Sequence, residues 1–323
     1  MKPPRNVRFA AICIIAFFAQ AAFAAYPERP VRLLVPSSSG SGPDAIARLV
    51  AARMGTLLSQ QIVCDNRAGA NGVIASELVA RAAPDGYTLL MTSGGHTTNP
   101  HMYRKLPYDP IADFTPITQF ITSGGLVVVV TPSFGARTIA QLIEMARAAP
   151  GKIVYASAGV GNSTHLAGEM FNQAAGVRLT HVPYKGGAPA MQDLLGERVA
   201  AYFSTYSTAK AYIENGKLIP LAVTGPQRLK ALPKVQTIAE SGYPGFNATN
   251  WYAFVASSRV PASIMDRWNL EIVKVLKSPD VVSQLNDHGL TPMPTSREDL
   301  AKYMAKESAT WGRLIKEKKI TGE

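Results

Sequence analysis

The chain has 323 residues, 47% of them hydrophobic, 17% charged and 8% aromatic. That length and balance fit two lobes or one large domain and exclude a disordered, collagen-like or disulfide-stapled small scaffold. The formal net charge is +11, but the basic residues are scattered and only Lys316, Lys318 and Lys319 at the tail form a dense group. Nucleic acid is therefore not an expected partner, while a modest positive field favours small anions.

Taken in chain order, residues 1–24 read as a secretory signal peptide. Lys2, Arg5 and Arg8 make a positive head, residues 9–19 an apolar stretch, and Ala22-Phe23-Ala24 a small-x-small cleavage signal, with the cut expected after Ala24 or Ala25. The apolar stretch is shorter than the ~20 residues of a membrane span, which disfavours the alternative of an uncleaved anchor. A mature, soluble, periplasmic protein is expected. Removing the signal takes three basic and no acidic residues, lowering the net charge from +11 to +8. Cys13 goes with it, so Cys64 has no partner for an intrachain disulfide and stability must come from a packed core.

From residue 31 onward short apolar runs alternate with helical periodicity. Strands are expected at 31–35, 62–64 and 87–91, and helices at 45–58 and 74–82, the second ending before the turn Pro84-Asp85-Gly86. Residues 126–131, with four valines, suit a fully buried central strand. A second series follows, with helices 139–148, 165–174 and 188–195 and strands 153–156, 179–182, 199–203 and 219–223. After Pro244-Gly245 come a strand at 251–255 and helices at 262–276, 280–288 and 297–316, a C-terminal part expected to carry no strand. The alternation predicts an α/β fold of parallel strands and crossover helices.

Two segments share one form. Val31-Arg-Leu-Leu-Val-Pro-Ser-Ser-Ser-Gly-Ser-Gly-Pro-Asp44 and Ile153-Val-Tyr-Ala-Ser-Ala-Gly-Val-Gly-Asn-Ser-Thr-His165 each run from strand through a Gly/Ser loop into a helix. Such a loop puts free backbone N–H groups at a helix N-terminus, which carries about half a positive charge and attracts carboxylates or phosphates. One loop per series predicts two lobes gripping one anion. Taken singly, either loop reads first as a turn with ordinary caps, Asp44 in the first and Asn162 to Thr164 in the second, and it is the pair in an exported two-lobe chain that points to ligand binding. The anion-side candidates are Ser41, Gly42, Ser157, Gly161, Asn162, Ser163 and Thr164. The candidate distal contacts are Ser37, His96, Ser204, Thr205 and Tyr206, with Tyr184-Lys185-Gly186-Gly187 another strand-end loop that can face the cleft.

Enzyme motifs are missing. Gly159-Val-Gly161 lacks the third glycine of a dinucleotide fingerprint, no Walker lysine follows either loop, and neither Gly-x-Ser-x-Gly nor His-Glu-x-x-His occurs. His96, His101, His165, His181 and His288 lack metal-ligand spacing. No cofactor, metal or catalytic residue is expected.

Several motifs in order resemble the tripartite tricarboxylate transporter receptors, the Bug-type periplasmic solute-binding proteins. They are Tyr26-Pro-Glu-Arg-Pro, Val35-Pro with Gly40 and Asp44, Asn66-Arg-x-Gly69, Ala83-Pro-Asp-Gly-Tyr-Thr88 and Asn99-Pro. Leu106-Pro-Tyr-Asp-Pro110, His165-Leu-Ala-Gly-Glu169, His181-Val-Pro-Tyr-Lys-Gly186 and Leu221-Ala-Val-Thr224 complete the set. The resemblance implies a two-lobe Venus-flytrap fold, type II-like, with crossing hinge strands. Lobe 1 would be 25–125 plus 251–323 and lobe 2 126–250, with hinges around 126–131 and 251–255. It further implies a monomer that holds a small organic anion, a dicarboxylate or aromatic acid, and passes it to integral-membrane transporter subunits. A signalling receptor or an exported enzyme acting on a small carboxylate are the alternatives. Two departures stand out. The first loop reads Pro36-Ser-Ser-Ser-Gly-Ser41 where members of the family commonly carry Pro-Phe-x-Pro-Gly-Gly, which predicts a wider pocket there. Phe203-Ser204-Thr205 replaces a common Phe-Asp-Asn, which removes an acid that would pair with an amine and predicts that the solute is not an amino acid.

Overall fold

The computed structural model describes residues 26–322, so the expected signal peptide lies outside the described residues. Two sheets organise the chain. The first contains β1 (Val31–Val35), β2 (Ile62–Asn66), β3 (Thr88–Thr92), β4 (Phe114–Ser123), β10 (Trp251–Ser257) and β11 (Leu290–Pro292), in the order β11-β4-β10-β3-β1-β2. The second contains β5 (Val127–Val130), β6 (Val154–Ser157), β7 (Thr180–Pro183), β8 (Ala201–Ser204) and β9 (Ile219–Val223), in the order β7-β6-β8-β5-β9. The helices are α1 (Gly42–Leu58), α2 (Val73–Ala80), α3 (Gly94–Met102), α4 (Ile139–Ala148), α5 (Ser163–Ala175), α6 (Gly187–Leu195), α7 (Tyr206–Glu214), α8 (Ala262–Leu276), α9 (Pro279–Asp287) and α10 (Arg297–Lys318).

Each sheet is buried on both faces, which is why its central strands read as continuous apolar runs. In β1, Leu33 and Val35 pack with Ile46, Val50 and Met54 of α1 and Trp268 and Ile272 of α8, while Leu34 packs on the opposite face with Ala75 and Val79 of α2. The four valines of β5 divide in the same way. Val128 and Val130 join Leu142 of α4 and Phe171 of α5, whereas Val127 and Val129 join Met191 of α6 and Ala209 of α7.

The sheets are mixed rather than all parallel. β1 pairs in parallel with β2 and β3, and β6 with β7 and β8, but β10, β4, β11 and β5 pair antiparallel. Of the antiparallel strands, β4, β5, β9 and β10 flank the two passages of the chain between the sheets. The chain passes from the first sheet to the second between β4 and β5 and comes back between β9 and β10. The expected hinge segments at 126–131 and 251–255 need correcting, because β5 and β10 are paired along their length inside their own sheets. The crossings lie just upstream. Ser123 N–H donates to the Asn250 carbonyl (2.8 Å), and Leu126 N–H donates to Thr224 Oγ1 (2.7 Å), which itself donates to the Ala248 carbonyl (2.6 Å).

The C-terminal part also differs from expectation in carrying a strand, β11, which pairs with β4 through Leu290, Thr291 and Pro292. The strand β4 itself and helices α3 and α7 have no counterpart among the expected elements. Pro116 breaks the strand pattern of β4, and the strand accommodates it at one of two register shifts against β10. Helix α3, Gly-Gly-His-Thr-Thr-Asn-Pro-His-Met, is built of weak helix formers and is held by tertiary burial instead.

Candidate functional site

Six helices begin along the facing edges of the two sheets. Ser41, Gly72 and Ser93 are the N-caps of α1, α2 and α3 in the first lobe, and Asn162, Gly186 and Thr205 are those of α5, α6 and α7 in the second. All but Ser41 border one cavity of about 60 Å³, and α1 contributes Pro43 to it. Among the described residues, no Lys, Arg, His, Asp or Glu side chain lines this cavity. The helix N-termini are therefore the source of partial positive charge at its wall, and such a terminus typically favours a nearby anion by about 0.3–1 kcal/mol.

The first loop is fixed from below by Asp44, which is buried and accepts from Gly40 N–H (2.9 Å), Asn66 Nδ2 (2.9 Å) and Arg48 Nε (3.1 Å). Burial raises its pKa, but the bonds from Arg48, Gly40 and Asn66 outweigh that and hold the carboxyl below its ordinary range. Asp44 thus ties the loop to β2 and does not cap α1, whose N-cap is Ser41. The second loop is fixed by Asn162, whose Oδ1 accepts from Thr164 N–H (3.1 Å), and by Thr164 Oγ1, which accepts from Ala158 N–H (2.8 Å). Behind it Gly161 N–H donates to His165 Nδ1 (3.0 Å), and the His165 ring stacks on His181 at 3.8 Å. Burial, with His181 as a lesser cause, depresses His165 to about 3, and burial depresses His181 to about 4. Both rings are neutral, as an imidazole accepting a backbone N–H must be.

Five of the expected residues meet at the cavity: Ser37, Asn162, Ser163, Thr164 and Thr205. The others do not line it. Ser41 turns inward and donates to the Ser38 carbonyl (2.7 Å), and Gly42 sits where the lobes touch, donating N–H to Thr208 Oγ1 (3.1 Å). Ser157 lies under the second loop, bonded to His181 Nε2 (2.6 Å). Gly161 is clamped between lobes, its carbonyl accepting from Thr98 Oγ1 (3.1 Å). Ser204 is buried in β8, its hydroxyl on the Thr205 carbonyl (3.0 Å), and Tyr206 packs toward Gly289. His96 is placed elsewhere altogether. Its Nε2 lies 2.8 Å from the Pro110 carbonyl, its ring is edge-on to Phe114, and burial lowers its pKa to about 4.

The cavity also takes residues that patterns along the chain did not single out, among them Asn71, Met91, Ser93, Tyr202, Asn250 and Tyr252. Asn71 has a left-handed backbone (φ 50°) and is held by Asn99 Oδ1 (2.9 Å) and Thr98 Oγ1 (3.2 Å) of α3. Its only signal was its place two residues after Asn66-Arg-x-Gly69. Tyr202 and Tyr252 come from different sheets, and burial raises both phenols, so they remain protonated donors. Ser37 Oγ and Asn250 Oδ1 are buried without a hydrogen-bond partner, an arrangement that proteins avoid outside functional sites.

The profile of the tripartite tricarboxylate transporter family receptor matches residues 46–320. The chain belongs to this family. A UPF0065 protein from the tcbD-tcbE intergenic region of Pseudomonas sp. (strain P51) is 39% identical over 92% of this chain and 88% of its own length. Protein BugT of Bordetella pertussis is 33% identical over 90% of each chain. Among solved structures, Rpa4515 of R. palustris with adipate superposes with a TM-score of 0.88 at 34% identity, covering 92% of this chain and 99% of that one. MatC from Rhodopseudomonas palustris with bound malate gives 0.84 at 28% identity, over 90% and 100%. The receptor thus shares the two-lobe α/β fold of periplasmic binding proteins of the Bug type, as the sequence motifs implied.

Proposed function

We propose that this receptor works in the periplasm as a monomer, closing on a small organic carboxylate and delivering it to the membrane subunits of a tripartite tricarboxylate-type transporter. One observation carries the reading: helix N-termini from both lobes converge on one cavity that, among the described residues, no charged side chain lines. Backbone donors recognise a carboxylate without a counter-ion, and they gain strength as water is excluded. The likeness to structures holding adipate and malate supports a dicarboxylate. The neutral lining also supports release, since no buried ion pair has to be broken to let the solute go.

A binding role fits better than catalysis. In the Ser–His pair nearest the cavity, Ser157 is buried and His181 half-buried behind the loop, and neither lines the cavity. No acidic residue lines the cavity to meet an amine, so amino acids are expected to bind at least tenfold more weakly than the corresponding acids. Tight calorimetric titrations with aspartate or glutamate would refute that expectation. The general reading is tested on residues 25–323, refolded to remove carried-over solute and screened by thermal shift against carboxylates, their amides and amino acids. Ligand at a thousand times its dissociation constant adds about 4 kcal/mol. A shift confined to carboxylates, without product formation, is expected. The absence of any carboxylate shift would sink the proposal, and delivery is checked by uptake in cells carrying the membrane subunits with and without the receptor.

A further inference from the structure

We infer that the first lobe carries a second binding site, separate from the solute cavity, for a small uncharged molecule that joins an apolar body to one O–H or N–H donor, with His96 as the acceptor. A phenol is the simplest ligand of that kind. The inference does not depend on the carboxylate reading.

The site is a pocket of about 360 Å³ between α3, residues 110–116 and α10. It shares no lining residue with the solute cavity. Helix α3 serves both, since its N-cap Ser93 borders the cavity while His96 and Pro100 line the pocket. Those two residues are four apart and so lie on one face of the helix. Phe114, Pro116, Val255 and Met304 make the pocket largely apolar, and Ile111 at the same pocket leaves 83% of its surface exposed. Among the described residues, no Lys, Arg, Asp or Glu lines it, so an ionised ligand would find no permanent counter-charge.

One polar group interrupts this apolar lining. His96 is 3% exposed, and its Nε2 lies 2.8 Å from the Pro110 carbonyl. A carbonyl only accepts, so Nε2 carries the proton and Nδ1 keeps a lone pair. Burial also lowers the pKa of the ring to about 4, which leaves that lone pair free at neutral pH. Nδ1 is buried and has no hydrogen-bond partner, a costly state for an acceptor. Other polar groups at the pocket are already engaged. Thr97 Oγ1 donates to the Gly94 carbonyl (2.9 Å), and His101 Nε2 lies 2.8 Å from Ser308 Oγ. A water on Nδ1 would therefore lack the roughly two to four polar partners that hold buried water. A ligand with one donor and an apolar remainder meets both demands, giving its proton to Nδ1 and covering Ile111 with its body.

The test compares phenol with toluene, which has the same shape and no donor, by calorimetry on the full mature chain. Phenol is expected to bind at millimolar concentration, and the Nδ1 resonance of His96 in protein labelled with ¹⁵N-histidine should move upfield as it accepts the bond. In His96→Phe the ratio of phenol to toluene affinity should fall by about three- to tenfold, the usual worth of one such hydrogen bond. Ala305 lines the pocket from an exposed position on α10, so Ala305→Trp should fold, fill the space and abolish binding of both probes. Phenol binding that survives Ala305→Trp, or no phenol binding to the parent protein, would overturn the site. A still Nδ1 resonance in phenol-saturated protein would overturn the role of His96, and this readout stands even if His96→Phe does not fold.

Discussion

At the residue scale, three histidines illustrate how burial sets chemistry. His96, His165 and His181 are held at about 4, 3 and 4, against an ordinary value of 6.5, first by desolvation. In the unfolded chain each takes a proton as the pH falls through 6.5, whereas in the folded chain each stays neutral until about 4 or below. The unfolded state therefore binds more protons across that window, and stability must drop as the pH is lowered through it, by up to roughly 1.4 kcal/mol per pH unit for each histidine. Urea unfolding between pH 7 and 4.5 should show this slope. His165→Asn, which keeps an acceptor for Gly161 N–H, should remove one histidine's share of it. None of this was visible along the chain. His96 was expected as a distal contact at the cleft, but α3 turns its ring toward Pro110 and Phe114. The caps fared differently, because Asn162 accepts from Thr164 two residues on and Thr164 from Ala158 six residues back, both within one loop.

At the element scale, the crossings between lobes depend on backbone approach more than on side chains. A Cβ on Gly225 would lie 2.6 Å from the Gly124 carbonyl carbon and 3.2 Å from Gly125 Cα, so β4's exit and β9's exit pass each other almost in contact. Gly225→Ala is expected to cost about 1–3 kcal/mol through overpacking. It should also weaken solute binding if, as proposed, the lobes close on the solute about this crossing. Denaturant midpoints and calorimetry measure the two effects separately, and unchanged values in both would show that the crossing has slack. The strong elements were readable because their signal is local: 139–148, 219–223 and 262–276 coincide with α4, β9 and α8. The strand β4 was not, because Pro116 and its threonines obscure the pattern and its pairing partner, β10, lies more than a hundred residues away.

At the scale of the whole molecule, the proposed closure has a candidate reporter on the far side of the structure. Trp251 Nε1 and Trp311 Nε1 both donate to Glu307 Oε2 (3.0 and 2.9 Å), in a groove of about 910 Å³ bounded by α10, by α5 and by residues 242–249. Gln173 of α5 reaches across to Glu317 of α10 (3.5 Å). Trp268, the third tryptophan, is buried in the core of the first lobe. Movement of α5 against α10 on closure should change the emission of Trp311, which is half-buried. Titration with a bound acid is expected to shift intrinsic fluorescence in the native protein, and Trp311→Phe should lose most of the change while retaining affinity. A full response in that variant would place the moving contact elsewhere.

What the linear chain determined by itself is whatever depends on neighbours in sequence: the alternation of strands and helices, the two Gly/Ser loops opening onto helix starts, the absence of enzyme motifs, and the ordered motifs that mark the family. Periodicity, capping and turn chemistry act over a few residues, so they can be read there. Tertiary structure alone decided which of those residues face one another. Ser41 and Ser157 look as suited to an anion as Ser37 and Ser163, yet the first pair is bonded within its own lobe and the second borders the cavity. Tyr202, Tyr252 and Asn250 reach the site only because β8 and β10 bring them there from separate sheets. The close approach of two backbones at Ser38 and Gly186, 148 positions apart, is likewise decided by packing between distant segments, a property no local pattern carries.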